Sequence, residues 1–306
     1  MGVVSAIGNT PLVELTRLNP RRPAVRVFAK LEGNNPGGSS KDRPAYWMVK
    51  GAEESGRLTP ERTILEATSG NTGISLAMIG AAKGYRVTLC MAASVSLERR
   101  SVIEALGASV ILTPAHERTD GAIRRARQLL TEYPDRYYMP DQFQSEDNVL
   151  AHYESTGPEV FAQTGGEMDA FVAGMGTSGT LMGVSRFLKE RKPGVRIVGI
   201  EPPIGHRIQG LKNMRESIQP AIFNPAMLDE RITVVDHEAF DATRRLAAEE
   251  GIFAGMSSGA AVAGALRIAR RMTRGTIVVL LPDRGDRYLS TGVFQRAGAE
   301  PRQKVA

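Results

Sequence analysis

The sequence predicts an α/β fold: two domains built on mainly parallel sheets flanked by helices. Three observations carry this reading. Short runs rich in Val, Ile and Leu recur along the chain, such as TILEA (63–67) and TIVVLLPD (276–283). Each is followed by a helix-length segment, the pattern of parallel strands covered on both faces. The alternation also occurs twice, on either side of a less regular stretch around 134–148. A chain of 306 residues is long enough for two cores.

The elements follow in order. VRVFAKLE (25–32) reads as a strand, and KDRPAYWMVKGAEESG (41–56) as a helix. Pro44 is tolerable there because it falls in the first turn, where no intrahelical N–H is needed. Strand 63–67 precedes helix 71–84, strand 86–92 precedes helix 96–107, and strand 109–114 precedes helix 120–133. In the second half, strand 169–175 precedes helix 179–191, and strand 196–202 follows. Helices at 239–251 and 258–272 and a strand at 276–283 close the series. In such sheets ligands gather beyond the C-terminal ends of the strands, here in a cleft between two domains.

Bulk properties exclude several classes. The net charge is +6 with pI near 9.6, but basic residues are interleaved with acids, as in RRLAAEE (244–250), and aromatics make up only 6%. This argues against nucleic acid and is compatible with small anionic substrates. Cys90, the one cysteine, lies in an apolar run and reads as a core residue, and it permits no intrachain disulfide. His116, His152, His206 and His237 lack metal-ligand spacing, so no metal site is expected. The longest apolar runs are too short to span a bilayer, so no membrane association is expected. The start MGVVSAIGNTP has no basic n-region, and Ala6 stands where a myristoylation motif needs Ser or Thr. A cytoplasmic protein is expected.

Three loops share one position, after a strand and opening a helix: ATSGNTG (67–73), GMGTSGT (174–180) and GMSSGAA (255–261). Helix starts present free N–H groups and partial positive charge, which suit a carboxylate or phosphate. Gly174, Gly176 and Gly179 also spell the dinucleotide G-x-G-x-x-G, with Glu201 ending the next strand, so an NAD-binding module is an alternative. The hydroxyls of Thr177, Ser178 and Thr180 favour a single phosphomonoester instead. GNNPGGSSK (33–41) fails the P-loop order, since Lys41 follows two serines and precedes Asp42. Lys41 itself ends a loop of small residues, an unusual place for a solvated lysine.

Six segments together resemble the cysteine synthase (O-acetylserine sulfhydrylase) family of fold-type II pyridoxal-phosphate enzymes. They are IGNTPLV (7–13), KLEGNNPGGSSKDR (30–43), EATSGNTG (66–73), GTSGT (176–180), EGIFAGMSSGAA (250–261) and DRGDRYLSTGVF (283–294). The tone is most like the cysteine synthase B branch. The resemblance implies a tryptophan synthase β-like fold. A smaller mobile domain would span 37–148, and a larger one 1–36 plus 149–306. It implies pyridoxal 5'-phosphate as cofactor and Lys41 as the residue that binds it covalently and acts as base, a task for an uncharged amine.

The implied activity is β-replacement: O-acetyl-L-serine and sulfide or thiosulfate give L-cysteine or S-sulfocysteine through an aminoacrylate. O-phosphoserine-dependent or cystathionine β-synthase-type activity is the alternative. Asn71 would reach the cofactor 3′-oxygen. Thr68, Ser69, Gly70, Asn71 and Thr72, with Gln142, would hold the substrate carboxylate. Gly176, Thr177, Ser178, Gly179 and Thr180 would hold the phosphate. Ser257 matches the residue facing the pyridine nitrogen, with Ser258 adjacent and not separable by sequence. A hydroxyl there makes a milder electron sink than an aspartate, which suits elimination chemistry. Lys212 is the candidate for an anionic substrate group, ahead of Arg207 and Arg215. A homodimer is implied, and a sulfur-carrier protein is a conceivable partner.

Overall fold

The computed structural model describes residues 2–68, 70–215 and 218–295. Two sheets organise the chain. The larger has six strands in the order β1 (Leu12–Glu14), β2 (Val25–Leu31), β10 (Gly275–Leu281), β7 (Ala170–Gly174), β8 (Arg196–Glu201) and β9 (Glu230–Thr233). Only the β1–β2 pair is antiparallel. The smaller has four parallel strands in the order β5 (Ser109–Thr113), β4 (Val87–Ala92), β3 (Thr63–Ala67) and β6 (Tyr137–Tyr138).

Each sheet is buried on both faces, which is why its strands read as unbroken apolar runs. In β10, Ile277, Val279 and Leu281 face the core shared with α8 (Asp236–Glu250) and α9 (Met256–Arg271). Val278 and Leu280 point the other way, toward α6 (Gly157–Gln163) and α7 (Gly179–Arg191). In the small sheet, Ile64 packs with α1 (Asp42–Glu54), α2 (Asn71–Lys83) and α3 (Leu97–Ala105), while Leu65 and Ala67 pack with α4 (Arg118–Glu132). Cys90 is buried in this last core, and burial pushes its thiol up to about 11.

Predicted and observed elements differ mainly at the less patterned places. The strand expected at 25–32 lies well before the second half in sequence, yet it pairs with β10 in register from Val25↔Gly275 to Leu31↔Leu281. The two strands therefore end level, and the loops that follow them run side by side. The stretch around 134–148 holds the two-residue β6 and opens α5 (Glu146–Ala151). A π-helical turn, His152–Thr156, then carries the chain directly into α6. Among the described residues, no helix is long and apolar enough to cross a membrane. Nor do any three His, Cys, Asp or Glu side chains there lie together to hold a metal ion.

Candidate active site

The strand ends place the site. Beyond β2 the chain runs through the small-residue loop to Lys41, which immediately precedes α1. That loop is stitched to the chain leaving β10: Ser39 bridges Asp283, and the Ser40 N–H donates to the Pro282 carbonyl at 2.8 Å. Residues on either side of the lysine are pinned as well. Asp42 accepts from the Gly37 N–H at 2.6 Å and from the Ser75 hydroxyl of α2 at 2.5 Å. Arg43 is buried between Glu32 and Glu159, with bonds of 2.6 to 2.8 Å to both carboxylates. Lys41 lies in the wall of a narrow cavity between the two sheets. Burial pushes its amine below the usual lysine value, opposed by the Asp283 and Glu32 carboxylates. Burial thus favours the uncharged form of the lysine amine.

The substrate loop starts α2. Gly70 has φ +129°, and a Cβ there would run into the Arg99 side chain, so only glycine fits. The Thr68 hydroxyl accepts from the Gly70 N–H at 2.9 Å and the Gly73 N–H at 3.2 Å, which shapes the turn from behind. Asn71 and Thr72 line the cavity, as does Gln142. The Gln142 oxygen accepts from the Thr72 hydroxyl at 2.6 Å, and its amide donates to the Ala67 carbonyl at 2.8 Å. Ser69 lies outside the described residues. The Asn71 amide donates to Asp283 Oδ2 at 2.7 Å, and its oxygen accepts from Arg287 at 2.5 Å. Asn71 is therefore committed to protein partners in this arrangement, a detail no residue pattern announces.

Opposite stands the start of α7. Gly176, Thr177 and Thr180 line the cavity, while Ser178 and Gly179 form the turn behind them. Ser178 has φ +69°, strain in a side-chain-bearing residue of the kind that concentrates at functional turns. Asn148 of α5 braces the turn, donating to Thr177 Oγ1 at 3.1 Å. A Cβ on Gly176 would come within 2.8 Å of the Gly210 carbonyl, so the loop at 210 packs directly on the cradle. Ser257 lines the cavity, whereas Ser258 is fully buried away from it with its hydroxyl unpartnered.

Lys212 reaches the same cavity from the 210 loop, held by its N–H bond to the Met175 carbonyl at 2.8 Å. Its ammonium pairs with Asp120 at 3.1 Å and lies 5.1 Å from the centre of the Phe143 ring. It is 7% exposed, so it is no ordinary surface charge. Arg207 and Arg215 do not line the narrow cavity; Arg207 is exposed and pairs with Asp236. Gly210, Leu211 and Lys212 also line a neighbouring chamber of about 730 Å³.

Sequence reasoning gave no role to Asp283, Arg99, Tyr288 or Arg287. In the structure Asp283 Oδ2 accepts from Asn71, from Tyr288 at 2.6 Å and from Arg99 at 3.3 Å. Arg99 also donates to Tyr288 and to Gln209, and Arg287 to the Gly37 carbonyl. This cluster ties the helices of the small sheet to the chain leaving β10. DRGDRYLSTGVF was visible as a motif, but its partners lie at 71 and 99, too far along the chain for a spacing rule to connect.

These residues fit pyridoxal phosphate. A buried amine whose charged form is disfavoured can bond an aldehyde. Across from it, a helix start bearing Thr177 and Thr180, with glycine where backbone must approach, can hold a phosphate. Ser257 supplies a hydroxyl in the same cavity. A pyridine nucleotide would leave the amine without a purpose.

The family model described as pyridoxal-phosphate dependent enzyme matches residues 3–283, and the chain belongs to this family and, within it, to the cysteine synthases. Cysteine synthase B of Pseudomonas aeruginosa is 48% identical over 292 residues, covering 95% of this chain and 97% of that protein. Cysteine synthase B of Escherichia coli K12 is 48% identical over 290 residues, covering 94% of each. Among solved structures, cysteine synthase from Entamoeba histolytica superposes with TM-score 0.90 at 38% identity, covering 98% of this chain and 92% of that one. O-ureido-L-serine synthase gives TM-score 0.91 at 40% identity, covering 98% and 97%.

Proposed function

We propose that the protein performs β-replacement on O-acetyl-L-serine, giving L-cysteine with sulfide or S-sulfocysteine with thiosulfate. The observation that carries the reading is Lys41: a buried amine, its pKa lowered by burial, in one wall of a cavity whose other wall is the hydroxyl-bearing start of α7. When bound, the cofactor withdraws electrons from the substrate α-carbon, so the α-proton becomes acidic and the β-substituent can leave.

The chain's own residues do the rest. Lys41 Nζ would hold the cofactor aldehyde, and the same amine would take the substrate α-proton and return it. Gly176 to Thr180 would hold the phosphate, and the Ser257 hydroxyl would serve the ring nitrogen. The loop from Thr68 to Thr72, with Gln142, would orient the substrate carboxylate, and Asn71 would exchange Asp283 for the cofactor. Acetate leaves and sulfide takes its place on the β-carbon, so the net exchange balances. We assign the mobile unit to 37–148, closing on 1–36 plus 149–306 when the carboxylate is bound and so excluding water. A cytoplasmic homodimer is the form we propose, with a sulfur-carrier protein as one possible donor.

Lys212 favours a second reading of the leaving group. A buried ammonium paired with one carboxylate can exchange Asp120 for a phosphate, which would admit O-phosphoserine. The test is steady-state product formation from O-acetylserine and from O-phosphoserine, read as cysteine with sulfide and as S-sulfocysteine with thiosulfate. Turnover of the acetyl ester supports the main reading. Turnover of the phosphate ester alone moves the assignment to the second, and no β-replacement with either contradicts both.

A further inference from the structure

We propose that His152 is a positioning residue for the cofactor phosphate: it fixes the direction in which the Thr180 hydroxyl points. The proposal rests on the reading of this cavity as the pyridoxal-phosphate site.

His152 opens the π-helical turn between α5 and α6 and is fully buried. Turns of this kind concentrate at functional sites. Its Nδ1 lies 2.8 Å from the Thr156 hydroxyl, and its Nε2 lies 3.2 Å from the Thr180 hydroxyl in the first turn of α7. The approach depends on Gly183, where any side chain would meet the Val149 carbonyl and, at 2.7 Å, the His152 Cβ. Burial holds the imidazole neutral, helped by the Arg43 cation and opposed by Glu159.

A neutral imidazole has one donor and one acceptor nitrogen. If Nε2 carries the proton, it donates to Thr180 Oγ1. The Thr180 proton is then left for a group in the cavity, and Nδ1 accepts from Thr156. If Nδ1 carries the proton, Thr180 must donate to Nε2 and turns only lone pairs to the cavity. A phosphate dianion accepts and cannot donate, so it requires the first arrangement. His152 and Thr156 therefore hold the phosphate at one remove: Thr180 lines the cavity, and neither of them does. The helix start gave the cradle, and this pair gives one of its donors a direction.

The experiment measures dissociation constants for pyridoxal phosphate and for pyridoxal, which lacks the phosphate, by visible absorbance. It adds 15N spectra of the histidine rings and 31P spectra of the bound cofactor. In the loaded wild type we expect His152 protonated on Nε2. In His152→Leu, affinity for pyridoxal phosphate should fall about tenfold or more, affinity for pyridoxal should hold, and the 31P signal should move. His152→Gln, whose amide nitrogen can occupy the Nε2 position, should recover most of the loss. Thr156→Val should weaken pyridoxal phosphate by about threefold, again sparing pyridoxal.

Equal loss for both ligands in the Leu and Val variants would mark a merely structural histidine and overturn the proposal. So would a proton on Nδ1 in the loaded wild type, a readout that stands even where His152→Leu fails to fold. A wild type that binds neither ligand would overturn the cofactor reading itself, an outcome distinct from the others.

Discussion

Arg43 offers a quantitative test of what anchors the lysine loop. It is 1% exposed, and its guanidinium makes two bonds to Glu32 (2.7 and 2.8 Å) and two to Glu159 (2.6 and 2.8 Å). Arg43→Met keeps the volume and removes the charge. Glu32, with no exposed surface, would retain only the Thr10 hydroxyl at 2.6 Å and the Asn35 amide at 3.0 Å. Stranding a buried carboxylate costs about 3–5 kcal/mol, a large part of a typical total stability of about 5–15 kcal/mol.

The pH dependence gives the sign. In the wild type the Arg43 cation offsets burial and holds the Glu32 carboxyl below its usual range, and Glu159 is lowered to about 2. Their stabilisation is present above the unfolded carboxylate value and is lost as pH falls. Without Arg43, burial dominates and Glu32 must take up a proton to stay inside. The destabilisation relative to wild type is therefore largest near neutrality and shrinks on acidification. Urea unfolding at pH 7 and pH 4.5, followed by circular dichroism, reads both. Arg43→Met with Glu32→Gln should recover most of the loss. A loss under about 1 kcal/mol, or one that grows on acidification, would refute the reasoning.

Other expectations follow from the same geometry. Burial raises the Asp42 carboxyl to about 6 from 3.8, so the fold binds that proton more tightly than the unfolded chain. Its contribution to stability should fall by up to about 3 kcal/mol as pH rises from 3.8 to 6, and Asp42→Asn should flatten that slope in denaturation curves. Lys212→Ala should lose at least about tenfold more kcat/KM with O-phosphoserine than with O-acetylserine, and equal losses would remove its role in binding an anion. Cys90, buried with its thiol pushed up to about 11, should resist thiol reagents in the native protein and react on unfolding; rapid native labelling would contradict its place in the core.

The sequence made the framework legible because both sheets are buried on two faces. β3 and α7 fall at the expected residues, 63–67 and 179–191, and most other boundaries differ by a few residues. What escaped is physically short or interrupted. β1 and β6 have three and two residues, too few for periodicity to show. α5, the π-turn and α6 are short consecutive pieces of one helical path through Gly157 and Pro158, which no expected element covered. At the site, Lys41 and the Gly-rich loops stood out because small residues at helix starts have one common physical use. Asp283, Arg99 and His152 did not, since each acts through a partner distant in sequence. Ser257 and Ser258 are adjacent and alike in sequence, and of the two Ser257 lines the cavity.

The central claim is that Lys41 holds the cofactor. Borohydride reduction of the purified yellow protein, followed by peptide mass mapping, tests it most directly. The account predicts that the visible band disappears and that one pyridoxyl phosphate adduct is found, on the peptide containing Lys41, with no adduct in Lys41→Ala. An adduct on another lysine, or a protein that takes up no pyridoxal phosphate, would contradict it.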